Sequence, residues 1–419
     1  MSGSDSTTDF GEHAARMELA RCLDVCLDCR RCVDLCEVFP ETIELVGTRS
    51  SADTGLLTPL EQDRIISLCS HCDLCRDGCP HRPGVGAEAV DLPSSIEAVS
   101  AALHRSGRRG WRAGFAGRAV SSDRTLRWSH RLRRLVNPLL GAGAGGAARR
   151  ALSLIFGVTS SRPLPVLADQ SFSQWFLRRE RPVGGSERSV AILPTCLVDQ
   201  FGPEFGRDAA SAIEASGTTC DLVGVPCCGG GLLESGQLDR FLAVAERNLR
   251  VLADVDGGIV VLQSGCLDVL RSDYPRLLGP GAANIVSRAR GLVEQLEAIS
   301  LEAGTQGAPS LPAAVGLVTS PRGRATGEDE RLVALLERNG IRVVLAESGS
   351  IGEGPGALAE ARDAAESTSP DDPAHDLPHD LPLFGLSIVV NRAVEQRLGR
   401  PVAPAQRLLA AIAHAESSG

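Results

Sequence analysis

The chain has 419 residues, enough for two or three compact domains, and 43% of them are hydrophobic, an ordinary share for a globular protein with real cores. Its net charge is −9, with 52 acidic residues against 43 basic ones that are all arginine, which excludes a general nucleic-acid binder because phosphates demand a basic face. The apolar stretches, such as Leu135–Leu140, break at proline or glycine well short of the ~20 residues that cross a bilayer.

Residues 1–12 are polar and acidic and read as a disordered tail without the apolar segment of a signal peptide, so the expected location is cytoplasmic, at most peripheral on the inner face of the membrane. A helical pattern starts at His13, and residues 13–100 form a first unit that carries nine of the fourteen cysteines. Residues 101–187 read as a helical connector in which Arg105, Arg108, Arg109, Arg112, Arg118, Arg124, Arg127, Arg131, Arg133 and Arg134 alternate with Trp111, Phe115 and Trp128. That stretch suits either an anionic membrane surface or acidic partner, or a plain solvated helix face. Gly141, Gly143 and Gly146 satisfy G-x-G-x-x-G, but Pro138 removes the strand that should precede them, so they read as a flexible joint and not a nucleotide site.

An alternation follows over residues 188–300: strand Ser189–Leu193, helix Glu204–Ser216, strand Thr219–Val223, helix Gln237–Ala253, strand Gly258–Leu262. It predicts a parallel α/β sheet. A fainter copy occupies 312–419, with strand Ala314–Val318, helix Glu328–Asn339 capped by Gly340, and strand Ile341–Leu345. Residues 351–382 are acidic and rich in Pro, Ser and Gly, an insertion and not core.

The chemistry lies in the cysteines. Cys26-x2-Cys29-x2-Cys32-x3-Cys36 is repeated as Cys69-x2-Cys72-x2-Cys75-x3-Cys79 before Pro80. Three thiolates two residues apart wrap one four-iron cluster, and the fourth, displaced by a further residue, reaches the neighbouring one. The spacing therefore assigns Cys26, Cys29, Cys32 and Cys79 to one [4Fe–4S] cluster and Cys69, Cys72, Cys75 and Cys36 to a second. Paired zinc sites would need C-x2-C pairs spread over a longer loop, and a thioredoxin-like dithiol would need a βαβ context. Glu37 stands after Cys36 where proline is usual, which changes an exit turn but removes no ligand. Cys22 reads as a small buried hydrophobe, and His71, inside the second run, as a neighbour that tunes potential.

In the second unit Cys196, Cys227-Cys228-Gly229 and Cys266 each follow a strand, at the carboxyl edge where ligands collect in open α/β sheets. Gly229, Gly230 and Gly231 would let backbone N–H groups approach sulfur. The alternative is a set of unrelated core cysteines, as Cys220, inside a strand, is taken to be.

Cys196, Cys227-Cys228-Gly229 and Ser264-Gly265-Cys266 resemble the cysteine-rich CCG domain shared by heterodisulfide reductase subunits, glycolate oxidase iron–sulfur subunits and the iron–sulfur subunit of anaerobic glycerol-3-phosphate dehydrogenase. Likeness to the last of these extends through Arg162-Pro163-Leu164-Pro165, Phe172–Phe176 and Asp273-Tyr274-Pro275. The resemblance implies an α+β multidomain protein: a helical two-cluster ferredoxin-like domain, then a duplicated α/β CCG domain. It also implies a third cluster on Cys196, Cys227, Cys228 and Cys266, a flavoprotein dehydrogenase partner as electron source, and a membrane quinone as destination. Gln263 replaces one cysteine of the family's C-x-x-C pair, leaving four ligands in place of five. The second copy reads Pro321-Arg322-Gly323 and Glu347-Ser348-Gly349-Ser350 where the family has cysteines, so it is a degenerate lobe without a cluster. The alternative function is a heterodisulfide reductase-like thiol–disulfide reductase working at the CCG cluster; a structural iron–sulfur protein without turnover is a third. With no flavin or nicotinamide fingerprint present, hydride chemistry belongs to another chain.

Overall fold

Leu19, Cys22 and Leu23 recur at helical spacing and are fully buried, which fixes the inner face of α1 (Asp5–Cys29). The computed structural model describes residues 5–33, 38–47, 54–69, 71–85, 88–108, 131–140, 166–180, 189–298, 311–347, 381–386, 391 and 401–417. Residues 5–12, read from sequence as tail, are helix instead. The reason is Glu12, which is buried, accepts from Arg16 Nε at 2.8 Å and from Arg108, and so anchors the first turns. Arg16 continues to Asp63 at 2.6 Å.

α2 (Val38–Gly47) buries Val38, Phe39, Thr42 and Val46. α3 (Pro59–Ser67) opens with a capping box: Thr58 accepts from the Glu61 backbone N–H, Glu61 accepts from that of Thr58, and Pro59 supplies a ready helical φ. The short α4 (Leu74–Asp77) leads to α5 (Leu92–Arg105), whose cap Asp91 accepts from Ser94 N at 3.2 Å and is also held by Arg76. α1 packs along α5, with Phe39, Ile65, Ile66, Ile96 and Val99 between the helices.

Of the connector, α6 (Arg133–Leu140) is fixed by Asn137, which donates to Leu167 O at 2.7 Å and accepts from Leu167 N at 2.9 Å. Arg109, Arg112, Arg118, Arg124 and Arg127, like Gly141, Gly143 and Gly146, lie outside the described residues, as do 351–380 of the acidic insertion and 348–350. α7 (Phe172–Arg178) turns two phenylalanines inward beneath the following domain.

There β1 (Ser189–Leu193) leads into α8 (Cys196–Phe201) and α9 (Pro203–Ala215), then β2 (Thr219–Leu222), α10 (Gly230–Glu234), α11 (Leu238–Ala253) and β3 (Gly258–Val261). α12 (Ser264–Asp268) runs through a π turn at Val269–Asp273 into α13 (Tyr274–Leu278), followed by α14 (Pro280–Val286), β4 (Ala289–Gly291) and α15 (Leu292–Ala298). All four strands are parallel in the order β2-β1-β3-β4. Continuously apolar β1 and β3 suit a sheet covered on both faces.

The last part contains β5 (Ala314–Thr319), α16 (Pro321–Ala325), α17 (Glu328–Arg338), β6 (Arg342–Glu347), β7 (Leu383–Gly385), β8 (Val402–Pro404) and α18 (Ala405–Ser417). Its sheet, also parallel, has the order β6-β5-β7-β8, the same as the first. α18 packs along α9, so Leu408, Leu409 and Ile412 share one apolar core with Ile192, Phe205 and Ile213 of the preceding domain. The fold is thus helical at its start and mixed α/β with two parallel sheets thereafter.

Candidate metal centres

Cys26, Cys29, Cys32 and Cys79 line one cavity, walled by Val25, Phe39, Val90 and Leu92. Cys69, Cys72 and Cys75 line the next, walled by Val38, Leu92 and Ile96, and Cys75 faces both. Cys36 lies outside the described residues. The loops curl tightly because three non-glycine residues take left-handed backbone: Arg30 (φ 53°) between Cys29 and Cys32, and His71 (φ 50°) and Asp73 (φ 60°) on either side of Cys72. Such a conformation costs on the order of 1–3 kcal/mol per residue and persists where the surroundings enforce it. Burial pushes the Cys26 thiol up to about 12, and the charges of Cys22, Cys79, Cys32 and Cys29 push in the same direction. Cys32 is raised by burial, then by Cys79 and Cys29. Cys79 is therefore an immediate neighbour of the first cysteine run despite its distance in sequence. Cys22, fully buried and 3.3 Å from Ser95 Oγ, sits in the core beside the cavity and does not line it.

At the second centre, Thr195 (φ 58°) swings the chain off β1 into Cys196, while Cys227-Cys228 follow β2 and Cys266 follows β3. This is the edge where the strand order reverses between β1 and β3. All four thiols are buried. Cys228 Sγ lies 3.0 Å from Cys266 Sγ, and Cys196 is hydrogen-bonded to Cys227. Gly229 N donates to Cys227 Sγ at 3.3 Å. That N–H can turn inward because Gly229 has φ 92°, a conformation that a side chain resists. The adjacent cysteines face different layers: Cys227 joins the core of Cys196 and Val198, and Cys228 that of Cys266 and Phe241. Cys220 is buried in β2 and belongs to the apolar core.

Sequence reasoning did not anticipate the polar frame behind this pair. Asn248 Nδ2 donates to Cys227 O at 2.8 Å and to the Tyr274 hydroxyl at 2.9 Å, and Tyr274 OH donates to Cys228 O at 2.8 Å. The π turn before Tyr274 aims that ring, and the Asp273-Tyr274-Pro275 triplet was its only trace in sequence. Gln263, where the family has another cysteine, donates to Leu386 O at 3.4 Å, just past β7 of the second sheet.

The donor sets fit iron–sulfur groups. They contain sulfur only, the choice of soft metals. Hydrogen bonding to Cys227, then burial, raises Cys196 well above an ordinary thiol; Cys228 is raised by its bonds to Cys227 and Cys266 and then by burial. Thiolates can gather in such places only with cationic charge among them. The buried Thr195 hydroxyl, beside Cys196, has no partner among the described residues, a donor left over for an acceptor in the site.

Comparison with known proteins agrees. A family model described as a 4Fe-4S dicluster domain matches residues 25–82, and one described as a cysteine-rich domain, CCG, matches residues 190–271. A subunit of the fumarate reductase (CoM/CoB) of Methanothermobacter marburgensis is 24% identical over 262 residues, 60% of this chain and 43% of that protein. A subunit of the anaerobic glycerol-3-phosphate dehydrogenase of Escherichia coli is 27% identical over 135 residues, 31% of this chain and 34% of that protein. A lactate utilization protein of Geobacillus kaustophilus is 29% identical over 89 residues, 21% of this chain and 36% of that protein. The chain thus spans less than half the length of each of these relatives. No solved structure matches. With both cysteine runs inside the dicluster match, and Cys196, Cys227, Cys228 and Cys266 inside the cysteine-rich one, the chain carries a 4Fe-4S dicluster domain followed by a cysteine-rich CCG domain.

Proposed function

We propose that the chain is an electron-transfer subunit that receives electrons from a flavoprotein dehydrogenase and relays them toward a quinone. In this reading Cys26, Cys29, Cys32 and Cys79 ligate one [4Fe–4S] cluster, Cys69, Cys72, Cys75 and Cys36 a second, and Cys196, Cys227, Cys228 and Cys266 a third. The observation that carries it is the pair of adjoining thiol-lined cavities that share Cys75, with Cys79 in the cavity of the first run. When bound, such clusters supply one-electron exchange at potentials set by their surroundings. The chain's own part is to hold sulfur, to exclude water with Phe39, Leu92 and Ile96, and to direct the Gly229 N–H at Cys227.

Units 13–100, 101–187, 188–300 and 312–419 serve this relay as dicluster domain, connector, cluster-bearing lobe and degenerate lobe. Identical strand order in the two sheets supports a duplication, and the absence of cysteine after Cys266 supports a silent second copy. The role of a subunit is supported by two relatives whose names are those of reductase and dehydrogenase subunits. No helix among the described residues is long and apolar enough to cross a membrane, so contact with a membrane quinone would be peripheral.

A second reading has its own observation. Cys228 and Cys266, 3.0 Å apart through sulfur, are near enough to close a disulfide, as a thiol–disulfide reductase requires. The two separate on protein purified without oxygen and reduced chemically. A carrier passes electrons to a quinone analogue and leaves disulfides intact; Cys228→Ser then removes one cluster signal while the two N-terminal clusters still reduce. Disulfide cleavage by the wild type, abolished in that variant, would overturn the carrier reading.

A further inference from the structure

The second lobe has no cysteine, yet one of its side chains reaches both metal centres. Arg322 lies in the first turn of α16, three residues after β5, the place in its own sheet that Cys196 occupies after β1 in the first. Its side chain is only 5% exposed. A buried guanidinium is costly unless it is paired, and here the partners come from elsewhere in the chain. Nη1 donates to Asp268 Oδ2 at 2.7 Å and Nη2 to the carbonyl of His71, while the carboxylates of Asp73 and Glu234 each stand 3.9 Å away.

Each of the two hydrogen bonds ends beside a thiol. The His71 carbonyl belongs to the peptide bond whose nitrogen is that of Cys72. Asp268 closes α12, the helix that carries Cys266. One guanidinium thus links the loop of the second cysteine run to the helix of the cysteine-rich centre. Arginine suits the place because it stays charged whatever surrounds it and its planar fork serves two acceptors at once.

Resting on the electron-carrier reading, we propose that Arg322 is a positioning residue of the relay: it fixes the Cys72 loop against the Cys266 helix, and its charge raises the reduction potential of the cluster at Cys69, Cys72 and Cys75. The sign follows from charge. A reduced cluster carries one more negative charge than an oxidised one, so a fixed cation favours reduction. Its removal would take a shared cation from the carboxylates of Asp73, Asp268 and Glu234, with Arg76, 3.4 Å from Asp73, left in place.

The test is a redox titration, followed by electron paramagnetic resonance, of the full-length chain purified without oxygen, with iron and sulfide counted first. In Arg322→Met one of the two N-terminal signals should shift at least tenfold in its one-electron equilibrium, ~59 mV lower, while the other stays in place. Arg322→Lys should restore most of that shift, which a purely steric role for the guanidinium fork does not predict. Asp268→Asn, which leaves the cation in place and removes a carboxylate, should move the same signal upward. Midpoints unchanged in Arg322→Met with iron intact would overturn the proposal. If that variant does not load iron, Asp268→Asn decides, and a midpoint that stays or falls overturns it. A wild-type chain that takes up no cluster overturns the carrier reading, and this proposal with it.

Discussion

Cys79 shows how far a single residue can lie from its working neighbours in sequence. It shares the cavity of Cys26, Cys29 and Cys32, and its charge raises the thiols of Cys26 and Cys32. Cys79→Ser should therefore damage the cluster of the first run and leave that of Cys69, Cys72 and Cys75, with total iron in the dicluster unit falling from about eight toward about four. Iron analysis with spectroscopy checks it; loss of the second-run signal first would reverse the crossed assignment. Tyr274 acts on backbone instead. Its hydroxyl bonds Cys228 O and Asn248. Tyr274→Phe leaves a buried carbonyl without its donor, which costs roughly 1–3 kcal/mol. The expected result is a lower thermal midpoint together with a more labile signal from the cysteine-rich centre.

Among the elements, α15 owes its start to another lobe. Glu328 of α17 accepts from Val293 N at 3.1 Å and Glu294 N at 3.3 Å, and so caps a helix of the first sheet. Burial pushes its carboxyl up to about 7 although the two N–H donors pull it down. A carboxyl that binds its proton more tightly when folded adds stability that is complete below its ordinary range near 4.5 and is lost as pH rises through about 7. Thermal melts from pH 4.5 to 8 should show a decline over that window that Glu328→Gln flattens; an identical slope in the variant would remove Glu328 as its source. Such contacts explain what was legible in sequence. β1, β2, β3, β5 and β6, with α9, α11 and α17 between them, follow from apolar runs and periodicity, which are local, whereas the short α8, α10 and α16 show no such pattern. The three-residue strands β4, β7 and β8 were missed because Ala289–Gly291, Leu383–Gly385 and Val402–Pro404 are too short to show a period. That the described thiols gather could be read because cysteine spacing is written along the chain. Asn248, Tyr274 and Arg322 could not, since each is defined by a partner that only folding brings near.

At the scale of the molecule, the dicluster unit and the cysteine-rich lobe meet along a narrow seam. Arg276 pairs with Glu97 of α5 at 2.7 Å, and Gly236 (φ 74°) lies so close that a Cβ there would stand 2.4 Å from Ser100 O. Gly236→Ala should force the two apart and strain its own backbone, costing on the order of 1–3 kcal/mol. Iron content should hold while electron exchange between the N-terminal clusters and the third slows, as rapid-freeze reduction would detect; unchanged exchange would mean that the seam is not the route. The packing of α18 on α9 has a different consequence, one of timing. Both N-terminal cysteine runs are complete by the end of α5, but the apolar layer around Cys196 and Cys227 is closed by Leu408, Leu409 and Ile412, synthesised long after Cys266. Iron can therefore enter the dicluster unit of a nascent chain earlier than the cysteine-rich centre, which waits for α18 to emerge. A stop codon shortly before α18 would remove no thiol at all and still produce a protein that fills its first two sites and fails at the last.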